Sequence, residues 1–174
     1  ALAKAMADDN QMILGPLTRD EVNAVLGGAG ALPTISLNRG SRAAPKGSAS
    51  FALLPEDEGV FAANRIADRN LMHVLVIAAR SDSSQRAVSA FKAQLQKRGG
   101  SVVGDVPVSG EIPDLSAQLS GFMAGATPPQ AIFLALDAGP ARTIAAQLKA
   151  SSLAALPKVA TAQILNGGGS KGDV

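Results

Sequence analysis

The sequence predicts an α/β fold of doubly wound parallel sheets in two lobes, the first of them incomplete. Three observations carry this expectation. Strand-like and helix-like patterns alternate from end to end, and the run His73 to Ala79 has the continuous apolar character of a strand buried on both faces. One stretch, Asn38 to Ser50, interrupts the alternation with no periodic apolar face. The β-α-β order elsewhere implies parallel strands joined by right-handed crossovers, with helices on both sides of each sheet.

Ala1 to Asp9 reads as the end of a helix, Gln11 to Leu14 as a buried strand and Gly15-Pro16 as a turn. Thr18 and Glu21 stand at capping-box spacing, where each side chain reaches a backbone N–H that a helix start leaves unpaired. The helix they open carries Val22, Val25 and Leu26 on one face, and Gly27-Gly28 can end it in the left-handed conformation. Pro33 to Leu37 follows as a second strand. Asn38 to Ser50 is rich in Arg, Gly, Ser, Ala and Pro and long for a loop inside a compact domain, so it is read as a crossing between lobes.

Beyond the crossing, Phe51 to Leu54 is a short strand, and Pro55 opens a helix whose acids Glu56, Asp57 and Glu58 complement the positive end of its dipole. Phe61, Ala62 and Ile66 are expected inward. After the strand His73 to Ala79, a helix from Ser83 to Arg98 packs Val88, Phe91 and Leu95 and stops at Gly99-Gly100. Ser101 to Val106 is a strand, and Asp114 to Met123 is a helix with Leu115, Leu119 and Phe122 at helical spacing. Ala131 to Leu136 is the next strand. Pro140 opens the last helix, with Ile144 and Leu148 inward, and Lys158 to Leu165 is the last strand.

These readings give a partial first lobe (1–38), an inter-lobe crossing (39–50), a second α/β lobe (51–165) and a Gly-rich connector (166–174). Two strands fall before the crossing, and four longer ones follow the short Phe51 to Leu54 after it. The unpaired edges of the first lobe invite disorder or pairing with a second copy. The first residues look like a mid-helix segment rather than a signal peptide, so the chain reads as cut from a longer one whose targeting sequence lay upstream.

Composition narrows the function. Sixteen Lys and Arg against 14 Asp and Glu give a formal charge of +2, a small imbalance rather than a basic surface. Five Phe with no Trp or Tyr provide few platforms for stacking bases or sugars, which argues against nucleic acid as a partner. Cysteine is absent, excluding disulfides, thiolate metal sites and Cys nucleophiles. No apolar run approaches the roughly 20 residues of a membrane span.

Few motifs promise chemistry. Gly28-Ala29-Gly30 follows a helix instead of a strand, and Pro33 stands where a dinucleotide fingerprint needs its third glycine, so it reads as a helix stop and loop. Gly167 to Gly172 lacks the spacing of a phosphate loop and reads as a connector. His73 is the only histidine and has no carboxylate or serine nearby in sequence, which excludes a His-rich zinc site and leaves a structural or surface role. Glu56, Asp57 and Glu58 read as first-turn acids on a solvated helix start. In Arg80-Ser81-Asp82, Ser81 or Asp82 can cap the following helix while Arg80 turns to the cleft. No cofactor is called for.

A doubly wound sheet binds ligands beyond the carboxyl ends of its strands, near the switch in strand order. The loops Gly15 to Thr18, Ser36 to Asn38, Arg80 to Asp82 and Asp137 to Gly139 occupy that position. They supply Thr18, Ser36, Arg80, Asp82 and Asp137 as cleft candidates. No nucleophile–base pair or paired carboxylates are legible, so no catalytic residue is expected.

Several segments resemble a known family: "MILGPLTRDEVNAV", "LPTISLN", "FALLPEDEG" with "AANRIA", and "HVLVIAARSDSSQRAVSAFKAQLQKRGG" are similar to the LppC, or LpoA-like, family of bacterial outer-membrane lipoproteins. The resemblance runs from about Ala1 to Leu165, and the "GPL" turn and "LPEDE" segment are its specific parts. It implies a type I periplasmic-binding-protein-like fold in a carboxy-terminal domain. It also implies a periplasmic location, with the membrane reached only through an upstream lipid anchor outside this chain. The implied role is to dock on a class A penicillin-binding protein of the 1A type and stimulate its peptidoglycan synthesis. The alternative expectation is a receptor for a small ligand, an amino acid, peptide or sugar, held in the cleft.

Overall fold

The computed structural model describes residues 4, 7, 8, 10–28, 32–52 and 54–165. The helix end expected over Ala1 to Asp9 falls largely outside these residues, and the connector at 166–174 falls wholly outside them. The chain divides into two compact units, Ala1–Leu53 and Leu54–Val174.

In the first unit, β1 (Ile13–Leu14), β2 (Thr34–Ser36) and β3 (Ala49–Ser50) form a parallel sheet in that order, and α1 (Arg19–Gly28) connects the first two. The capping box forms as the spacing predicts. Thr18 Oγ1 donates to Glu21 Oε2 at 2.7 Å, and the Thr18 N–H reaches the same carboxylate at 3.3 Å. Val22 is fully buried, while Val25 and Leu26 are half-buried. Gly27 lies inside the helix without a positive φ, and Ala29 and Gly30 lie outside the described residues.

The short strand expected at Phe51 to Leu54 is instead Ala49–Ser50, inside the segment read as a crossing, and it extends the first sheet to three strands. Ladder bonding ends with the Phe51 N–H on Ser36 O, and three residues later Leu54 becomes the extended N-cap of the next helix with Pro55 behind it. A strand cannot persist there, because Pro55 has no N–H and pre-sets the helical φ.

The second unit has a parallel sheet in the order β5-β4-β6-β7, made of β4 (His73–Ala79), β5 (Ser101–Val108), β6 (Ala131–Ala135) and β7 (Lys158–Ala160). Helices α2 (Pro55–Ala67) and α3 (Asp82–Lys97) cover one face, with Ile66, Phe91 and Leu95 against Val74, Val76 and Phe133. Helices α4 (Ser116–Met123) and α5 (Ala138–Ala150) cover the other, where Leu119, Ile144 and Leu148 meet Leu75, Ile77 and Ile132. Alternate residues of β4 therefore feed two separate cores, which is why its sequence is apolar throughout.

Phe61 departs from expectation: it is 73% exposed. The buried stripe of α2 is Gly59, Ala62, Ala63, Ile66 and Ala67, and at 100° per residue Phe61 lies opposite its centre. Glycine sets two close approaches. Gly99, at φ +85°, ends α3, and Gly104 leaves room for the Phe122 ring, which an added Cβ would meet at 2.3 Å. Val103 is left out of the β4–β5 register beside it, a local bulge. Two further boundaries move. Helix α5 begins at Ala138, with Pro140 in its first turn where a missing N–H costs no intrahelical bond, and the last strand ends at Ala160 before a 3₁₀ turn, Ala162–Leu165.

Candidate functional site

In the second unit the chain runs from β4 to β5 on one side and returns to β6 on the other, so the strand order reverses between β4 and β6. At this point the carboxyl ends of two parallel strands splay their loops apart and leave a crevice. The last paired residues are Ala78 and Ala135, and Arg80 and Asp137 each stand two residues beyond them. Both are exposed. Asp137 is the extended N-cap of α5, and its side chain makes no capping bond.

Asp82 belongs to the same loop as Arg80 but is engaged differently. Ser81 is the N-cap of α3, its hydroxyl accepting the Ser84 N–H at 3.4 Å. Asp82, 85% exposed at its side chain, lies 3.5 Å from Arg86, one turn on. Arg86 also grips Glu56 through two bonds, Nε to Oε1 at 2.7 Å and Nη2 to Oε2 at 2.9 Å. Hydrogen bonding to Glu56 pushes the guanidinium pKa up from its ordinary value, against the opposing effect of burial.

The acids of α2 are thus not simply solvated. Glu56 clamps Arg86, and Glu58 Oε2 accepts the Ala162 N–H at 3.0 Å, fastening the end of β7. Sequence reasoning missed this network. Its one local signal was the i, i+4 spacing of Asp82 and Arg86. Gln163 was missed as well; it donates to Ser83 Oγ at 2.8 Å beside the α3 start. Close by in sequence, the Thr161 hydroxyl is buried and has no partner among the described residues.

The other two candidates, Thr18 and Ser36, belong to the first unit. Thr18 is committed to the capping box. Ser36 is fully buried, with its hydroxyl bonded to Asn38 O at 2.9 Å and Ser50 Oγ at 2.8 Å. The loops after β1 and β2 are tied by Asn38 Nδ2 to Leu17 O at 2.9 Å. In the second unit His73, at the start of β4, meets Ser101 Oγ at 3.2 Å across the ladder, a partner invisible in the linear sequence. Among the described residues no group of three or more His, Asp or Glu side chains is placed to hold a metal, and no helix is long and apolar enough to cross a membrane.

Two parallel sheets on one chain, the second with a switch in strand order between β4 and β6, define the class: an α/β module with a type I periplasmic-binding-protein-like fold. The family model of the LppC lipoproteins matches residues 1–163, and the chain belongs to that family.

Among its relatives is the penicillin-binding protein activator LpoA of Dickeya chrysanthemi (strain Ech1591), 35% identical over 103 residues, which are 59% of this chain and 15% of that protein. The activator of the same name from Escherichia coli K12 is 32% identical over the same length, again 15% of its own chain. The chain therefore spans a small part of the curated relatives it matches. Among solved structures, the LpoA C-domain of Haemophilus influenzae, a regulator of PBP1A, superposes with a TM-score of 0.70 at 20% identity, covering 94% of this chain and 51% of that one. The solute-binding protein of an ABC transporter from Rhodopseudomonas palustris BisB5, in complex with 3,4-dihydroxy benzoic acid, superposes with a TM-score of 0.56 at 17% identity over 95% of this chain and 48% of that one.

Proposed function

We propose that this chain is part of a non-catalytic regulator of peptidoglycan synthesis that binds a class A penicillin-binding protein of the 1A type in the periplasm and stimulates it. In the full-length protein an upstream lipid anchor holds it to the outer membrane. The observation that carries this reading is the family match over residues 1–163, together with relatives that are penicillin-binding protein activators. Stimulation by surface contact needs no reacting group, and Ser81 and Glu56 are committed to a helix cap and an ion pair. The test is a pull-down with a purified class A penicillin-binding protein joined to a glycan-polymerisation assay. Binding and faster polymerisation are expected; failure of the intact parent protein to bind removes the reading.

A second reading, a receptor for an amino acid, peptide or sugar, draws on Arg80, Asp82 and Asp137 at the switch between β4 and β6. A true ligand at a hundred times its dissociation constant would add about 2.7 kcal/mol of stability, visible as a thermal shift that Arg80→Ala and Asp137→Ala abolish. No shift across amino acids, muropeptides and sugars would eliminate it.

A further inference from the structure

The first unit holds a groove that none of the cleft candidates line. Helix α1 forms one wall with Asn23 and Leu26, and the segment after β2 forms the other with Gly40, Ser41, Arg42 and Pro45, enclosing about 420 Å³. The walls are fastened together. Asn23 Oδ1 accepts both the Ser41 N–H at 2.6 Å and the Ser41 hydroxyl at 3.0 Å. Gly40 permits this approach, since a Cβ there would lie 2.7 Å from Asn23 Oδ1. Leu26 and Pro45, both half-buried, give the groove an apolar lining.

The charge of the second wall is one-sided. Residues 38–48 include Arg39, Arg42 and Lys46 and no carboxylate. Arg42 and Lys46 are exposed and form no ion pair among the described residues, unlike Arg86 and Arg98 of the second unit, which are paired to acids. Arg42 in the lining and Lys46, the residue after Pro45, are cations without an ion pair among the described residues beside a partly apolar groove, and they favour an occupant with complementary carboxylates and apolar side chains between them.

We propose that this groove between α1 and residues 40–45 docks an acidic, extended peptide segment of a protein partner, carboxylates toward Arg42 and Lys46 and an apolar side chain against Leu26 and Pro45. The inference rests on the reading that the partner is a class A penicillin-binding protein, and it adds which face of this chain meets it and the charge of what it meets.

The experiment measures binding of the soluble periplasmic part of such an enzyme to the wild-type chain, to the double variant Arg42→Glu/Lys46→Glu and to Lys97→Glu, a charge reversal in the second unit. The double variant is expected to bind on the order of tenfold more weakly and to lose most of the salt dependence, while Lys97→Glu binds as the wild type does. Neither altered cation has an ion-pair partner among the described residues, so the melting temperature should hold, and that measurement separates lost docking from lost folding. Hydrogen exchange on the complex should protect residues 39–46 and a segment of the enzyme rich in Asp and Glu. Equal binding by wild type and double variant, or protection of an uncharged segment, overturns the groove while leaving the regulator reading intact. No binding by any of the three, nor by the intact parent protein, overturns both.

Discussion

Gly59 stands where α2 and α3 come closest: a Cβ added there would lie 2.1 Å from the Ala87 carbonyl oxygen and 3.0 Å from the Phe91 amide nitrogen. Those neighbours are backbone, which cannot rotate away. Gly59→Ala should therefore force the helices apart and cost about 1–3 kcal/mol, in spite of the better helix propensity of alanine. On the same helix, Phe61→Ser should change stability by less than about 0.5 kcal/mol, because the ring is 73% exposed. Urea denaturation of both variants decides the matter. A Gly59→Ala midpoint equal to wild type, or a large loss at Phe61, would show the helix rotated from the orientation described. The pair also marks how far residue-level pattern carries. Phe61 looked like core because it is aromatic and adjacent to Ala62, but a 100° step separates neighbours on a helix, and the small residues Gly59, Ala62 and Ala63 are what let α2 lie close.

At the scale of elements, helix starts hold the chemistry that responds to pH. Asp114 precedes α4 and accepts the Ser116 hydroxyl and the Ser116 N–H, which hold its carboxyl pKa below the ordinary aspartate value, chiefly through the hydroxyl. A carboxyl whose pKa is depressed by folding stabilises the fold above its unfolded pKa and loses that contribution as the pH falls through the folded value. The start of α4 should accordingly loosen on acidification. An NMR titration should place the Asp114 midpoint below that of aspartate in an unstructured peptide, and Ser116→Ala should move it back up; coincident midpoints in the two proteins would refute this. Capping motifs of this kind were readable where spacing alone defines them, as at Thr18 and Glu21. They were unreadable where the partner is remote, as with Arg86 and Glu56, 30 residues apart.

For the molecule as a whole, the two sheets differ in what covers them. In the second unit both faces are packed, and the large side chains of β4 and β6 are fully buried or nearly so. In the first, Thr34 and Ser36 on one face of β2 are buried, whereas Met12, Leu14, Leu37 and Phe51 are 54%, 70%, 39% and 64% exposed. Register and alternation put these four on the same face of the sheet. A contiguous apolar face of this kind drives association when it meets a like surface. The 174-residue chain is expected to show a mass that rises with concentration in sedimentation, and Leu14→Lys/Phe51→Lys should suppress the rise. A concentration-independent monomer would count against it.

The order of strands and helices, the parallel direction of the strands and the family resemblance were all legible in the linear pattern. Each depends on local periodicity, capping and turn chemistry that neighbouring residues specify among themselves. That Arg80, Asp82 and Asp137 stand just beyond strand ends was legible, because strand ends can be read from where apolar runs stop. Folding alone settled how the polar groups are spent: Ser36 inside a buried hydroxyl pair, Glu56 on Arg86, His73 on Ser101, and Asn23 on the loop that closes the groove. Those partners lie 14 to 30 residues apart in the chain, and only packing brings them within hydrogen-bond reach.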